Sequence, residues 1–361
     1  MNKLENIISK FDIKGKTQEI KPLTGGLINS TYFVKTENDN PDYILQRKNN
    51  IIFPNVPEMM KNIEKVTEHI RKKVMVNGGD PNREVMTVIK TKAGELFSID
   101  EEGNCWTMSL FIPDTLTYET ADTPALAYKG GQGIGKFHQQ LSDFSENLYP
   151  TIKGFHDLAF RFRQWDEAVK NDKAGRVKDL QAEIKWIEDR RKEMLDFWKL
   201  VEDGTIPKRV THNDTKITNI LFDPNGNLLC VIDLDTVMSN TLLADYGDAI
   251  RTFANTSTED EQDLSKVDLD MDIFKAYTEG YMSEVKDIIT ESEADYLVFG
   301  ARYIIFEQAL RFLMDYIDGD TYYKIKYPGH NLVRTRTQQK LLERIEENYD
   351  IMTEYVSKLK K

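Results

Sequence analysis

The sequence predicts an α+β fold in two lobes. A small antiparallel β-sheet lobe with one long helix spans residues 1–112, and a larger, mainly helical lobe spans 113–361. Three observations carry this reading. At 361 residues the chain is long for one hydrophobic core, so two compact bodies are the default. The first ~110 residues alternate short strand-like runs with a single long helical pattern, whereas from residue 122 onward apolar residues recur mainly at helical spacing. Between the two regions stands Ile112-Pro113-Asp114, where a proline removes a ladder donor and marks the crossing point.

Residues 17–21, 31–36 and 43–47 read as strands in the first lobe. Met59, Ile63, Val66, Ile70 and Val74 then recur at helical spacing, which predicts an amphipathic helix over 56–76. Residues 85–90, 95–99 and 105–111 close the lobe as strands. In the second lobe Leu180, Ile184, Ile187, Met194 and Trp198 mark one helix, and others are expected at roughly 122–141, 155–170, 241–255, 266–283, 289–317 and 335–358. Only residues 208–210 and a hairpin around residue 225 read as strand there. No internal repeat or low-complexity segment is seen.

The chemistry concentrates in that hairpin and the residues before it. Residues 211–219, Thr-His-Asn-Asp-Thr-Lys-Ile-Thr-Asn, read H-x-D-x-K-x-x-N. Residues 220–222 are apolar, Asp223-Pro224-Asn225-Gly226-Asn227 is strong turn chemistry, and residues 228–232 are apolar again, ending at Asp233. A hairpin of this kind folds Asp233 back beside Asn219, so two oxygen ligands for a hard cation converge. Phosphoryl transfer from ATP needs few protein groups: a carboxylate for the attacking hydroxyl, a cation near the transferred phosphate, and an Asn and an Asp for Mg²⁺. Asp214 suits the first role and Lys216 the second, while Asn219 and Asp233 suit the metal.

With Cys230-Val231-Ile232-Asp233-Leu234-Asp235-Thr236-Val237-Met238, residues 245–251 and residues 311–316, this segment resembles the N-acetylhexosamine 1-kinases. These belong to the aminoglycoside phosphotransferase and choline kinase superfamily of protein-kinase-like small-molecule kinases. The resemblance implies a bilobal protein-kinase-like fold, Mg²⁺ and ATP, and phosphorylation of the anomeric hydroxyl of GlcNAc or GalNAc. The alternatives are the same chemistry on an aminoglycoside, choline or homoserine, or a catalytically inactive binding protein on this fold. No A-P-E segment or activation loop lies between Asp233 and Asp245, which argues against a protein kinase.

The net charge of −12 argues against a nucleic-acid surface and requires an anionic nucleotide to be held by local cations, Mg²⁺ and backbone amides. Cys105 and Cys230 sit in apolar runs and read as buried thiols. No run approaches membrane-spanning length and the first residues lack a continuous apolar stretch, so a cytoplasmic setting, no membrane partner, and a monomer or weak oligomer are expected.

Gly25 and Gly26, between two strands, are candidates for close backbone approach to ATP phosphates, with Asn29 and Ser30 adding donors; a Gly-Gly there also suits a plain hairpin. The small-lobe cation that clamps phosphates is expected on the third strand, where Gln46, Arg47 or Lys48 qualifies according to register. Gln46 and Arg47 are taken as nucleotide-binding residues, with Glu64 or Glu68 on the next helix as counter-charges. Asp235 is expected to bind a second cation or the sugar, or to serve as a structural hydrogen-bond partner. Asp248 is expected to brace the catalytic loop and His212 to orient its backbone. His138 and His156 read as ordinary surface or helix residues. Residues 130–137 fit G-x-x-x-x-G-K, but Phe137 stands where a P-loop needs Ser or Thr, so the run reads as a closely packed helix. Between residues 302 and 336, Arg and Tyr mix with Asp as a sugar site requires; Arg311 and Tyr316 are the chosen substrate-binding residues.

Overall fold

A computed structural model describes residues 3–23 and 28–360. They fall into two compact units, each discontinuous in sequence. The first comprises residues 1–117, 140–153 and 219–239; the second comprises 118–139, 154–218 and 240–361.

The first unit is built on a six-stranded antiparallel sheet. Its strands are β1 (Thr17–Leu23), β2 (Ser30–Thr36), β3 (Tyr43–Arg47), β4 (Val88–Ile89), β5 (Ser98–Ile99) and β6 (Cys105–Leu110). The order is β1-β2-β3-β6-β4, with β5 also paired to β6. Residues 85–87 and 95–97, expected as strand, lie outside β4 and β5. Helix α1 (Lys3–Ile8), too short to show periodicity, covers one sheet face. Ile7, Ile8 and Phe11 pack there with Val34, Tyr43, Leu45, Trp106 and Met108. A buried side chain of this kind contributes about 1.5–3 kcal/mol.

Helix α2 (Val56–Val76) has the expected bounds, and all five periodic apolar residues are buried. Asn55 caps it, its side chain accepting from Glu58 N at 3.4 Å, and Pro57 occupies the first turn, where its missing N–H costs nothing. On the buried side Asn62 Nδ2 donates to Tyr149 O at 2.7 Å and to Val237 O at 3.1 Å. Asn62 Oδ1 accepts from Tyr149 N at 2.9 Å, so one amide side chain ties α2 to two remote segments.

The second unit is helical: α3 (Pro124–Gln140, its last residue in the first unit), α4 (Leu158–Asn171), α5 (Gln181–Glu202), α6 (Leu242–Phe253), α7 (Met271–Val285), α8 (Glu291–Asp295), α9 (Leu297–Ile317) and α10 (His330–Leu359). The expected helix 289–317 is two helices. A capping box from Thr290 and Glu293 starts α8, and Tyr296 breaks the chain before α9. Helix α10 begins earlier than its apolar pattern because His330, Asn331 and Thr335 are polar yet buried.

Helix α9 is buried along most of its length and packs against α6 and α10. Gly247 on α6 meets Gly300 on α9 backbone to backbone: a Cβ on Gly247 would lie 2.1 Å from Gly300 O. Gly131 and Gly135 of α3 act likewise toward α7, where a Cβ on Gly131 would lie 2.1 Å from Tyr277 O. The P-loop-like run is therefore a packing face. Among the described residues no helix is long and apolar enough to cross a membrane.

Candidate active site

Residues 212–215 follow strand β7 (Arg209–Thr211) and are mostly buried. Two carboxylates of α6 hold their backbone. Asp245 accepts from His212 N at 2.7 Å and Asn213 N at 2.6 Å, and Asp248 accepts from Thr215 N at 2.9 Å. Thr215 Oγ1 donates to Asp245 O at 2.7 Å, and His212 Nδ1 accepts from Asp214 N at 3.2 Å. Asn213 sits in the left-handed region, φ 65°, which Asn tolerates better than most residues. Asp248 and His212 thus occupy the bracing and orienting positions expected of them.

His138 is not a surface residue. Its ring is buried, with Nε2 2.8 Å from Asp245 and Nδ1 2.9 Å from the Tyr281 hydroxyl. Burial pushes the Tyr281 phenol well above its ordinary range, so it stays a donor. Nε2–H donates to Asp245, and Nδ1 and the Tyr281 hydroxyl share the other bond. Asp245 is hydrogen-bonded on both oxygens.

Asp248 works by charge. Burial alone would raise its pKa, but the guanidinium of Arg251, 2.8 Å away, and the ammonium of Lys216 outweigh burial and hold it below the usual carboxylate range. Lys216 Nζ lies 2.7 Å from Asp214 Oδ1. Burial disfavours the ammonium, yet Asp214 and Asp248 hold it above its ordinary value. Both partners keep an open face, with side chains 43% and 29% exposed, as groups that must meet substrates require. The loop therefore presents a carboxylate and an ammonium together from a rigid backbone.

In the first unit the expected hairpin is present, β8 (Ile220–Phe222) pairing with β9 (Leu228–Val231). Asp223 accepts from Asn225 N and Asn227 N in the turn, and Gly226 has φ 73°. Ile232 N donates to Asn219 O at 2.9 Å, setting Asn219 opposite the residue before Asp233. Asp233 is exposed and left-handed, φ 60° and ψ 54°. An aspartate held there between a strand and a 3-10 turn is an uncommon backbone, of the kind that clusters at functional sites.

Asp235 is buried against Lys48, whose Nζ lies 2.6 and 2.8 Å from its two oxygens. Asn29 Nδ2 adds a bond of 2.7 Å to Asp235. Gln46 and Arg47 are engaged across the sheet instead, Gln46 with Thr31 at 3.3 Å and Arg47 with Ser30 at 3.1 Å. Gln46 Oε1 also accepts from Lys48 Nζ at 2.7 Å. The period of two puts Ile44, Gln46 and Lys48 on the face opposite the Tyr43–Leu45 core, so Lys48 is the buried cation of this register. Glu64 pairs with Lys90 at 2.6 Å, not with Lys48. Gly25 and Gly26 lie outside the described residues.

Arg311 and Tyr316 are not brought together. Five positions on a helix are about 140° apart, so they leave α9 on different sides. The Tyr316 ring lies 4.1 Å beneath the Arg176 guanidinium, and its carbonyl accepts from the same group. Arg311 is ringed by Phe155, Tyr322 and Tyr323 at 5.5–5.8 Å. Burial disfavours its charge, but Tyr323 and Glu307 outweigh this and raise its pKa. Asp315 fixes the aromatic loop by accepting from the backbone N–H of Thr321, Tyr322 and Tyr323 at 2.8–3.0 Å. His156, read as ordinary from sequence, is buried beside this cluster with Nδ1 2.5 Å from Glu307.

The model of the phosphotransferase enzyme family matches residues 19–277. Solved structures match almost end to end. The microcompartment-associated aminopropanol kinase is 14% identical with a TM-score of 0.64, covering 97% of this chain and 98% of its own. Plasmodium vivax ethanolamine kinase is 12% identical with a TM-score of 0.56, covering 92% and 83%. Spectinomycin phosphotransferase, solved with ADP and spectinomycin, is 13% identical with a TM-score of 0.54, covering 99% and 97%. At these identities the likeness is one of fold, and that fold is protein-kinase-like.

Proposed function

The chain belongs to the phosphotransferase enzyme family, and we propose that it transfers the γ-phosphoryl group of Mg-ATP to the anomeric hydroxyl of an N-acetylhexosamine. Asp214 takes the acceptor's proton as its oxygen attacks phosphorus in line, and Lys216 offsets charge developing on the phosphoryl oxygens. Asn219 and Asp233 are hard oxygen donors at one end of a hairpin, and they suit Mg²⁺, which commonly takes one or two protein oxygens and completes its shell with phosphates and water. When bound, the ion neutralises phosphate charge. Lys48 replaces Gln46 and Arg47 as the small-lobe phosphate cation, with Asp235 as its counter-charge and not as a sugar ligand.

The observation that carries the choice of a neutral acceptor is the charge balance around Arg311. The carboxylates that act on Arg311 and Tyr323, Glu307 and Glu259, are already matched: Glu307 by His156 and Arg161, Glu259 by Arg251 at 2.9 Å. A guanidinium ringed by aromatic side chains repels an ammonium and suits a sugar, whose apolar face packs on rings while its hydroxyls and amide take hydrogen bonds.

ADP release with Mg-ATP, measured across GlcNAc, GalNAc, ethanolamine, aminopropanol, choline and an aminoglycoside, tests the reading. Turnover is expected with an N-acetylhexosamine and not with its methyl glycoside, which lacks the anomeric hydroxyl. Turnover of an amino alcohol alone, or equal rates for the methyl glycoside, would overturn it.

A further inference from the structure

His156 carries three features that packing alone does not explain. Its backbone is left-handed, φ 56°, which is uncommon for a residue other than glycine. Its side chain is 7% exposed, yet Nε2 has no hydrogen-bond partner among the described residues. A buried polar nitrogen left unpaired is costly, so such atoms are rare in native proteins unless a ligand or water completes them. The ring is also locked. Nδ1 lies 2.5 Å from Glu307 Oε2, Arg161 Nε donates to Glu307 Oε1 at 3.0 Å, and the Tyr303 hydroxyl donates to His156 O. Burial would raise the Glu307 pKa, but His156, Arg161 and Arg311 together hold it down at about 2. Ionised Glu307 only accepts, so Nδ1 carries a proton and the buried Nε2 is left as the free valence of the ring.

The surroundings of that ring are the Arg311 cluster, proposed above for the acceptor. The Phe155 ring packs against the His156 ring at 4.1 Å, tilted by 39°, and lies under the Arg311 guanidinium at 5.5 Å. Asp248, which holds the backbone next to Asp214, lies within electrostatic reach of His156. The ring thus joins the Arg311 cluster through Glu307 and Phe155, and the charged groups around it are Glu307, Arg161, Arg311 and Asp248.

Resting on the hexosamine reading above, we infer that His156 binds the acceptor: its Nε2 hydrogen-bonds a sugar hydroxyl, and Glu307 fixes the ring for that contact. His156→Asn tests this without disturbing the fold. Asn is the non-glycine residue best suited to a left-handed backbone, and its Nδ2 can keep the bond to Glu307 while removing the atom that would reach the sugar. The KM for the sugar should rise about tenfold or more, the loss of one hydrogen bond that leaves its partner unsatisfied, with the KM for ATP and the melting temperature unchanged. Across monodeoxy N-acetylhexosamines, one deoxy position should lose kcat/KM in the wild type, and that penalty should vanish in His156→Asn. An unchanged sugar KM, or an undiminished deoxy penalty in the variant, would overturn the role of His156 and leave the kinase reading standing. Absence of hexosamine turnover in the wild type would remove both.

Discussion

Lys48 and Asp235 stand 187 positions apart in the chain and meet at 2.6 Å, with side chains 3% and 7% exposed. Two charges taken out of water together are stable only as a pair; removing one strands the other. Lys48→Met should therefore lower the unfolding free energy by about 3–5 kcal/mol in urea denaturation and raise the KM for ATP. The double variant Lys48→Met with Asp235→Asn should lose less stability than the two single losses added. Simple additivity would mean that the pair does not act as a unit.

Asp214→Asn should reduce kcat by about 10²–10⁴-fold while nucleotide affinity is retained. The pair with Lys216 is partly open to solvent, so little stability depends on it. A variant keeping a tenth of the wild-type rate would remove Asp214 as the base.

Glu307 links stability to pH. Its folded pKa of about 2 lies below its ordinary 4.5, so its contribution is fully present above about pH 4.5 and is lost as pH falls through about 2. The contribution is of order 3 kcal/mol. Glu307→Gln should melt below the wild type at pH 7, and the gap should close as the pH approaches 2. A gap constant from pH 7 to 2 would show that the carboxylate charge is not what stabilises this cluster.

Gly247→Ala places a methyl against Gly300 O and must push α6 from α9. Overpacking of this kind costs about 1–3 kcal/mol. Because α6 carries Asp245 and Asp248, kcat should fall along with stability although residue 247 faces no substrate. Unchanged kinetics in a destabilised variant would show that the loop does not depend on the seating of α6.

What was legible in the sequence was local. The hairpin from Ile220 to Val231 announced itself by turn residues between apolar runs, and α2 by five apolar residues on one face. What was not legible depended on partners far away. His138 meets Asp245 at a separation of 107 residues and His156 meets Glu307 at 151, so neither histidine has a neighbour in sequence that reveals its burial. Lys48 lies one residue past β3, where the period of two still sets its face but a single residue of slip would have chosen Arg47. Glu64 sat at a plausible spacing on α2, but Lys90 claims it.

Asp245 and Asp248 together hold the amide protons of His212, Asn213 and Thr215, and α6, which carries both, is buried along nearly its whole length. Those three residues are buried as well as bonded. Their amide protons should exchange with deuterium only when α6 leaves α9, at the slow rate of the helical core, and not at the fast rate of a surface loop. Heat inactivation would then have no early phase confined to the catalytic loop: activity and the helical core would be lost in one transition.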